Sequence, residues 1–183
     1  MTGTLTEALL VVHEILEGEG VPHALCGGLA ANLYRDEVRA TADVDIAIAI
    51  GPAHVVELVR AVEKAGWRAE PYWRKGEQLR LTRADLPRVD LIVANTDYER
   101  TAIDRSVPAS VEGRDLRVLA AEDLVVFKLV AGRARDYEAV AAIINARGGL
   151  LDVGYITGWL EQFDKPEAWS RALEEARRES GRD

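Results

Sequence analysis

The stretch from residue 26 to residue 48 constrains this 183-residue chain more than any other. It reads Cys26-Gly27-Gly28-Leu29-Ala30-Ala31-Asn32-Leu33-Tyr34-Arg35, a short loop, then Thr41-Ala42-Asp43-Val44-Asp45-Ile46-Ala47-Ile48. A glycine pair opens a helix, and an apolar strand follows that carries carboxylates at i and i+2. Alternate strand residues share a face, so Asp43 and Asp45 are expected to project together while Val44, Ile46 and Ile48 face elsewhere. Like charges side by side cost roughly 0.2–1 kcal/mol even at a surface, and a divalent cation removes that cost. Free backbone N–H groups at a glycine-rich helix start suit phosphate. A phosphate cradle beside a metal-binding carboxylate pair suggests nucleotide chemistry.

The remaining periodicities place this stretch within an α/β (α+β) fold. Leu5, Ala8, Leu9, Val12, Ile15 and Leu16 form a helical stripe over 5–18, with Thr4 and Glu7 as a capping box. His23 to Cys26 reads as a short buried strand, 28–35 as a second helix, and 43–50 as the acidic strand. Proline at the first position of a helix starts the next one after Gly51, and it runs to about Lys64. Strands follow at 66–73, 78–82 and 88–93, with Lys75-Gly76 as a turn. A short helix at 98–104 and a hairpin of 107–111 with 116–118 come next. From Ala120 the pattern is helical throughout: 120–131, 135–147, 152–163 and 166–179. The expectation is a small mixed β-sheet with flanking helices over 1–119, and a C-terminal helical region over 120–183 packed on it.

Charge and cysteine usage narrow the function classes. The formal net charge of −8 argues against a surface built to coat nucleic acid. The charge is unevenly spread, with three Arg/Lys against nine Asp/Glu in 1–60 and eleven against ten in 61–117, so a local basic groove is compatible with the middle third. Cys26 is the single cysteine, which excludes an intrachain disulfide and fits a reducing cytoplasm. No apolar run approaches the ~20 residues of a membrane span, and the uncharged start is no signal peptide. A cytoplasmic protein without a membrane partner is expected.

Two constellations carry chemistry. The first joins Gly27, Gly28, Asp43, Asp45 and Asp90. Asp90 lies between Val89 and Leu91 on an apolar strand, where an unpaired carboxylate is expensive. Three carboxylates on neighbouring strands can hold two Mg²⁺ ions, because hard cations take oxygen ligands and magnesium combines carboxylates with substrate phosphates. Two such ions activate an attacking hydroxyl and stabilise a leaving pyrophosphate. Taken singly, an Asp-x-Asp pair is also what a solvated strand end looks like, and Gly-Gly is also a turn. The second constellation is the helical segment from Ala121 to Asp136, with Lys128, Arg133 and Asp136. Its plain reading is a snorkelling lysine and a surface Arg–Asp pair.

In order and context, Gly27-Gly28, Asp43-Val44-Asp45 and Val89-Asp90-Leu91 resemble the signature of the nucleotidyltransferase superfamily typified by DNA polymerase beta. Arg39-Ala40-Thr41-Ala42 is similar to the Arg-x-Thr-x that precedes the acidic pair in many small bacterial members, and Gly28 stands where a serine is usual. The segment 121–136 resembles the AbiEii-like branch, which includes toxins of type IV toxin–antitoxin systems. The resemblance implies NTP as substrate and Asp43, Asp45 and Asp90 as catalytic metal ligands. It implies Gly27, Gly28, Arg39, Thr41, Lys128 and Arg133 as nucleotide contacts. Lys128 would also serve catalysis, and Asp136 would be an auxiliary acid, metal neighbour or base.

The expected activity is Mg²⁺-dependent transfer of a nucleoside monophosphate from an NTP to an acceptor hydroxyl. The acceptor is left open among an RNA end such as that of tRNA, a protein hydroxyl and a small molecule, and a cognate antitoxin is an implied partner. The alternative is a non-catalytic module of the same fold that binds a nucleotide or a partner. Other residues read as structural. His13, His23 and His54 have no partner at metal-ligand spacing, and Cys26 is a small buried side chain. Trp67, Tyr72 and Trp73 are strand or core packing before they are base-stacking rings. Arg74, Lys75, Arg80, Arg83 and Arg88 could line an acceptor groove or form a solvated face.

Overall fold

Thr4 starts the first helix by the device its spacing suggested. Its side chain accepts from the Glu7 backbone N–H at 3.1 Å while Glu7 returns a bond to the Thr4 N–H at 2.6 Å. The computed structural model describes residues 3–72 and 78–181, the side chain of Tyr72 apart. These residues form two compact units, one of 1–29 with 40–119 and the other of 30–39 with 120–183.

The first unit is built on a seven-stranded mixed sheet. Its elements are α1 (Leu5–Gly18), β1 (His23–Cys26), β2 (Val44–Ile48), α3 (Pro52–Lys64), β3 (Arg68–Tyr72), β4 (Gln78–Arg83), β5 (Leu86–Val93), α4 (Asp97–Asp104), β6 (Val107–Val111) and β7 (Arg114–Val118). Between β1 and β2 runs the short helix α2 (Gly27–Ala31), continued by one 3₁₀ turn over Asn32–Tyr34. The strand order is β3-β4-β5-β2-β1-β7-β6. β2 pairs parallel with β5 and β1 parallel with β7, and the other neighbours are antiparallel. Parallel pairing of β2 with β5 sets Val44 beside Val89, far apart in sequence.

Burial explains why the central strands are so apolar. Val44, Ile46, Ile48, Val89 and Leu91 are all fully buried, and removing each such side chain from water contributes roughly 1.5–3 kcal/mol. α1 lies against β5 and β2 through Ala8, Leu9, Val12 and Leu16, and α3 turns Leu58 and Val62 inward. α4 carries a second capping box, Thr96 with Glu99, and rests on β2.

The second unit is all helical: α5 (Ala121–Ala131), α6 (Ala134–Arg147), α7 (Val153–Gln162) and α8 (Ala168–Glu179). α5 stops at Gly132, whose φ of 67° is the left-handed conformation that a glycine adopts without strain. α6 packs on α8, which buries Ala168, Trp169, Ala172 and Ala176. The segment 30–39 belongs to this unit although it precedes the acidic strand. Its loop is clasped by Asn32, whose amide donates to the Arg39 carbonyl at 3.0 Å and accepts from the Arg39 N–H at 3.1 Å.

Two boundaries differ from the sequence expectation. The acidic strand starts at Val44, so Asp43 lies on the bend just before it. The second helix is a five-residue α-helix and a 3₁₀ turn rather than one helix to residue 35. The turn expected at Lys75-Gly76 lies outside the described residues, as do Trp73 and Arg74. Among the described residues no helix is long and apolar enough to cross a membrane.

Candidate active site

The register of the sheet assembles a charged row. Asp45 on β2 lies directly beside Asp90 on β5, and Asp90 lies beside Arg80 on β4. On the other flank Asp45 is paired with Cys26, the last residue of β1. Directly paired residues share a face, so the row from Arg80 through Asp90 and Asp45 to Cys26 crosses four strands on one side of the sheet. Two like charges thus sit at adjacent positions in a ladder, an arrangement that a sheet avoids without a compensating cation.

Part of that compensation comes from arginines. Arg80 grips Asp90 with both ends of its fork, Nε to Oδ1 at 3.0 Å and Nη2 to Oδ2 at 3.3 Å. Arg88, two residues before Asp90 on β5, donates through Nη2 to Asp43 Oδ2 and places Nε 3.3 Å from Asp90 Oδ2. Asp90 is 7% exposed, and its two cationic partners satisfy the requirement that a buried carboxylate be paired. Thr41 donates its hydroxyl toward the Asp43 backbone carbonyl and Oδ1, each at 3.3 Å. Its visible role is therefore to hold Asp43 at the strand entrance.

The glycine pair is fixed by close approach. Gly27 has a φ of 66°, and a Cβ there would come within 2.5 Å of Asp45 Cγ. Only a residue without a side chain lets the Asp45 carboxylate lie against the start of α2. A Cβ at Gly28 would stand 3.0 Å from Thr41 Oγ1. A side chain at this position would therefore crowd Thr41.

The remaining sequence candidates fall in different places. Arg39 belongs to the helical unit and pairs with Glu138 at 3.1 Å. Lys128 lies in the last turn of α5, half-buried, and Arg133 precedes α6. Asp136 is 8% exposed and accepts from the Arg133 backbone N–H at 3.2 Å, which caps the α6 N-terminus. Of the arginines suggested for a groove, Arg80 and Arg88 are tied to the acidic cluster and Arg83 to Asp85 at 2.8 Å. Trp67 is 2% exposed, with the Arg83 guanidinium 5.2 Å from its ring centre, and it serves packing.

For His13 and His23 the expectation that neither has a partner at metal-ligand distance is overturned. His13 Nδ1 and His23 Nε2 lie 2.8 Å apart, and Glu17 joins them. The signal was present in the sequence, since His13 and Glu17 are four residues apart on α1 and share a face. What the sequence could not give was the turn at 19–22 that returns His23 to them.

No protein-family model matches the chain, and no curated protein matches its sequence. Solved structures do. The chain resembles the lincosamide antibiotic adenylyltransferase LnuA in its lincomycin-bound form, with a TM-score of 0.55, 17% identity, and cover of 75% of this chain and 94% of that one. It resembles ANT(2'')-Ia in complex with adenylyl-2''-tobramycin, with a TM-score of 0.58, 17% identity, and cover of 92% and 99%. It also resembles an antigenic nucleotidyltransferase-like protein from Paracoccidioides brasiliensis, with a TM-score of 0.54, 16% identity, and cover of 92% and 91%. The chain has a nucleotidyltransferase fold.

Proposed function

We propose that the protein transfers a nucleoside monophosphate from an NTP to an acceptor hydroxyl, using Mg²⁺ held by Asp43, Asp45 and Asp90. The observation that carries this reading is the in-register pair Asp45 and Asp90, set against Gly27 with Asp43 at the strand entrance. The donor type fits the ion, because carboxylate oxygens are the hard ligands that Mg²⁺ takes together with phosphate oxygens. When bound, Mg²⁺ would neutralise phosphate charge and make the acceptor hydroxyl easier to deprotonate. Asp43, Asp45 and Asp90 would hold the metal, and Asp90 would also receive the acceptor's proton. The acceptor oxygen forms a bond to the α-phosphorus as the bond to the bridging oxygen breaks, and pyrophosphate leaves. Arg80 and Arg88 add fixed positive charge beside the transferring group, where electrostatic stabilisation supplies most of the rate.

The backbone at Gly27 and Gly28, together with Thr41, is assigned to the nucleotide phosphates. In the helical unit we assign Lys128, Arg133 and Arg39 to the nucleotide, on the strength of the sequence motif. Asp136 acts there as a positioning residue through its bond to Arg133. For the acceptor we favour a small, cationic, polyhydroxylated molecule. The net charge of −8 attracts cations and repels RNA, and two neighbours of the same fold carry names that denote antibiotic adenylylation or hold an adenylylated antibiotic. The toxin–antitoxin setting rests on the 121–136 motif alone, and the cytoplasmic setting on the single buried Cys26.

The test is transfer of α-labelled NTPs, with Mg²⁺, to a panel of aminoglycosides and lincosamides, with total RNA and total protein in parallel. Labelling of a small molecule that disappears in Asp43→Ala and Asp45→Ala supports the reading. Equal labelling in those variants, or none with any acceptor, refutes it. Labelling of RNA or protein alone would keep the reaction and replace the acceptor.

A further inference from the structure

The fold brings together a second set of ligand atoms, on α1 and β1. His13 and Glu17 occupy successive turns of α1, and β1 returns His23 to the same spot. One nitrogen of each imidazole and one Glu17 oxygen all lie within 4.8 Å of one another. His13 Nδ1 faces His23 Nε2 at 2.8 Å, and His23 Nε2 lies 3.9 Å from Glu17 Oε1. His23 is further fixed by its other nitrogen, Nδ1, which bonds the Val21 carbonyl at 2.7 Å. A backbone acceptor on Nδ1 sets the tautomer that leaves Nε2 with its lone pair, which is how metal-ligating histidines are oriented.

We propose that His13, Glu17 and His23 bind one Zn²⁺-class transition-metal ion, which fastens α1 to the start of β1. Two imidazoles and one carboxylate form a nitrogen-rich set suited to zinc rather than to magnesium. Zn–N bonds of about 2.0–2.1 Å in a tetrahedron set the two nitrogens about 3.3 Å apart. The rings therefore separate by about half an ångström as the ion replaces the hydrogen bond between them. His13 moves its proton from Nδ1 to Nε2 in the same step, so no proton is released by the two neutral rings. Glu17 is 65% exposed and reaches the ion by a change of rotamer, leaving the fourth position to water. Glu14 stays engaged with Arg114 at 2.9 Å and is not a ligand. His23 stands at the opposite end of β1 from Gly27, so this ion is separate from the Asp45 and Asp90 carboxylates.

The experiment is titration of the chelator-stripped, full-length protein with ZnCl₂, followed by calorimetry and by thermal unfolding, with no nucleotide or Mg²⁺ present. The expected result is one zinc bound per chain, a raised unfolding temperature, and two imidazoles in the X-ray absorption spectrum of the bound ion. His13→Ala should weaken binding by at least the order of 10–100-fold that loss of a supporting partner costs. Because the His23 side chain is only 7% exposed and His23→Ala could fail to fold, Glu17→Gln serves as the second variant and should weaken binding less than His13→Ala. Asp45→Asn should bind zinc as the parent does. No zinc binding by the parent protein, or zinc binding lost in Asp45→Asn and kept in His13→Ala, overturns the proposal.

Discussion

Three carboxylates are well hidden from water in the two units, and the partners that hold them differ. Asp90 on β5 is 7% exposed, while Asp123 on α5 and Asp136 on α6 are 0% and 8% exposed. In the helical unit the Tyr155 hydroxyl donates to Asp123 at 2.6 Å, and the Arg133 backbone N–H donates to Asp136 at 3.2 Å. In the sheet Asp90 is clasped by two guanidinium groups, one of which also holds Asp43. A donor supplied by a helix end or a ring hydroxyl ties a carboxylate to its own helical neighbourhood. Cationic side chains gathered around several carboxylates hold negative charge together, and a metal cation is the natural substitute for them.

The comparison can be broken most forcefully at Arg80. Arg80→Ala removes the two-pronged partner of a buried carboxylate and should lower stability by about 3–5 kcal/mol in urea unfolding. Mg²⁺ should restore more stability to this variant than it adds to the parent protein, since an ion bound only by the folded state stabilises it. An equal response of both proteins to Mg²⁺ would show that the sheet carboxylates do not exchange arginine for metal.

On the helical side, Tyr155→Phe should lower stability by about 1–3 kcal/mol, the effect of depriving a buried acceptor of a donor, and Mg²⁺ should restore none of it. A smaller loss, about 0.5–2 kcal/mol, is expected for Asp136→Ala from the missing cap. If its transfer rate falls far more than that loss explains, Asp136 has a chemical role beyond positioning Arg133.

The smallest effect is alkaline. Burial, and next the negative charge of Glu122, push the Tyr34 phenol above its ordinary value. The folded state therefore keeps a proton that the unfolded chain loses near pH ~10. Stability from this source is complete below that pH and falls as pH rises through it. Tyr34→Phe should flatten the fall in unfolding free energy measured between pH ~9 and ~11; an unchanged slope would exclude Tyr34 as its source.

Local patterns carried most of the elements into view from sequence. The stripe of α1 with its Thr4–Glu7 box, the Pro52 helix start and the alternation of β4 and β5 are all short-range signals, and they placed elements to within a few residues. The features that organise the candidate site are long-range. That Asp45 and Asp90 are direct neighbours depends on β2 pairing with β5 across an intervening helix and hairpin, which no periodicity reports. Arg80 and Arg88 read as surface charge because a sequence does not name a guanidinium's partner. Asp43 read as a strand residue because i and i+2 spacing does not say where pairing begins. Residues 30–39 gave no sign of joining the helical unit, since Asn32 and Arg39 hold that loop by side-chain bonds.

The central claim is that Asp43, Asp45 and Asp90 form one cation-dependent nucleotide site. Calorimetric titration of non-hydrolysable analogues of the four NTPs, with and without Mg²⁺, addresses it directly. Binding of at least one analogue that requires Mg²⁺, and that weakens on the order of 100-fold in Asp45→Asn, is the predicted result. Binding that ignores Mg²⁺ and persists in Asp45→Asn, or no binding at all, would contradict the account.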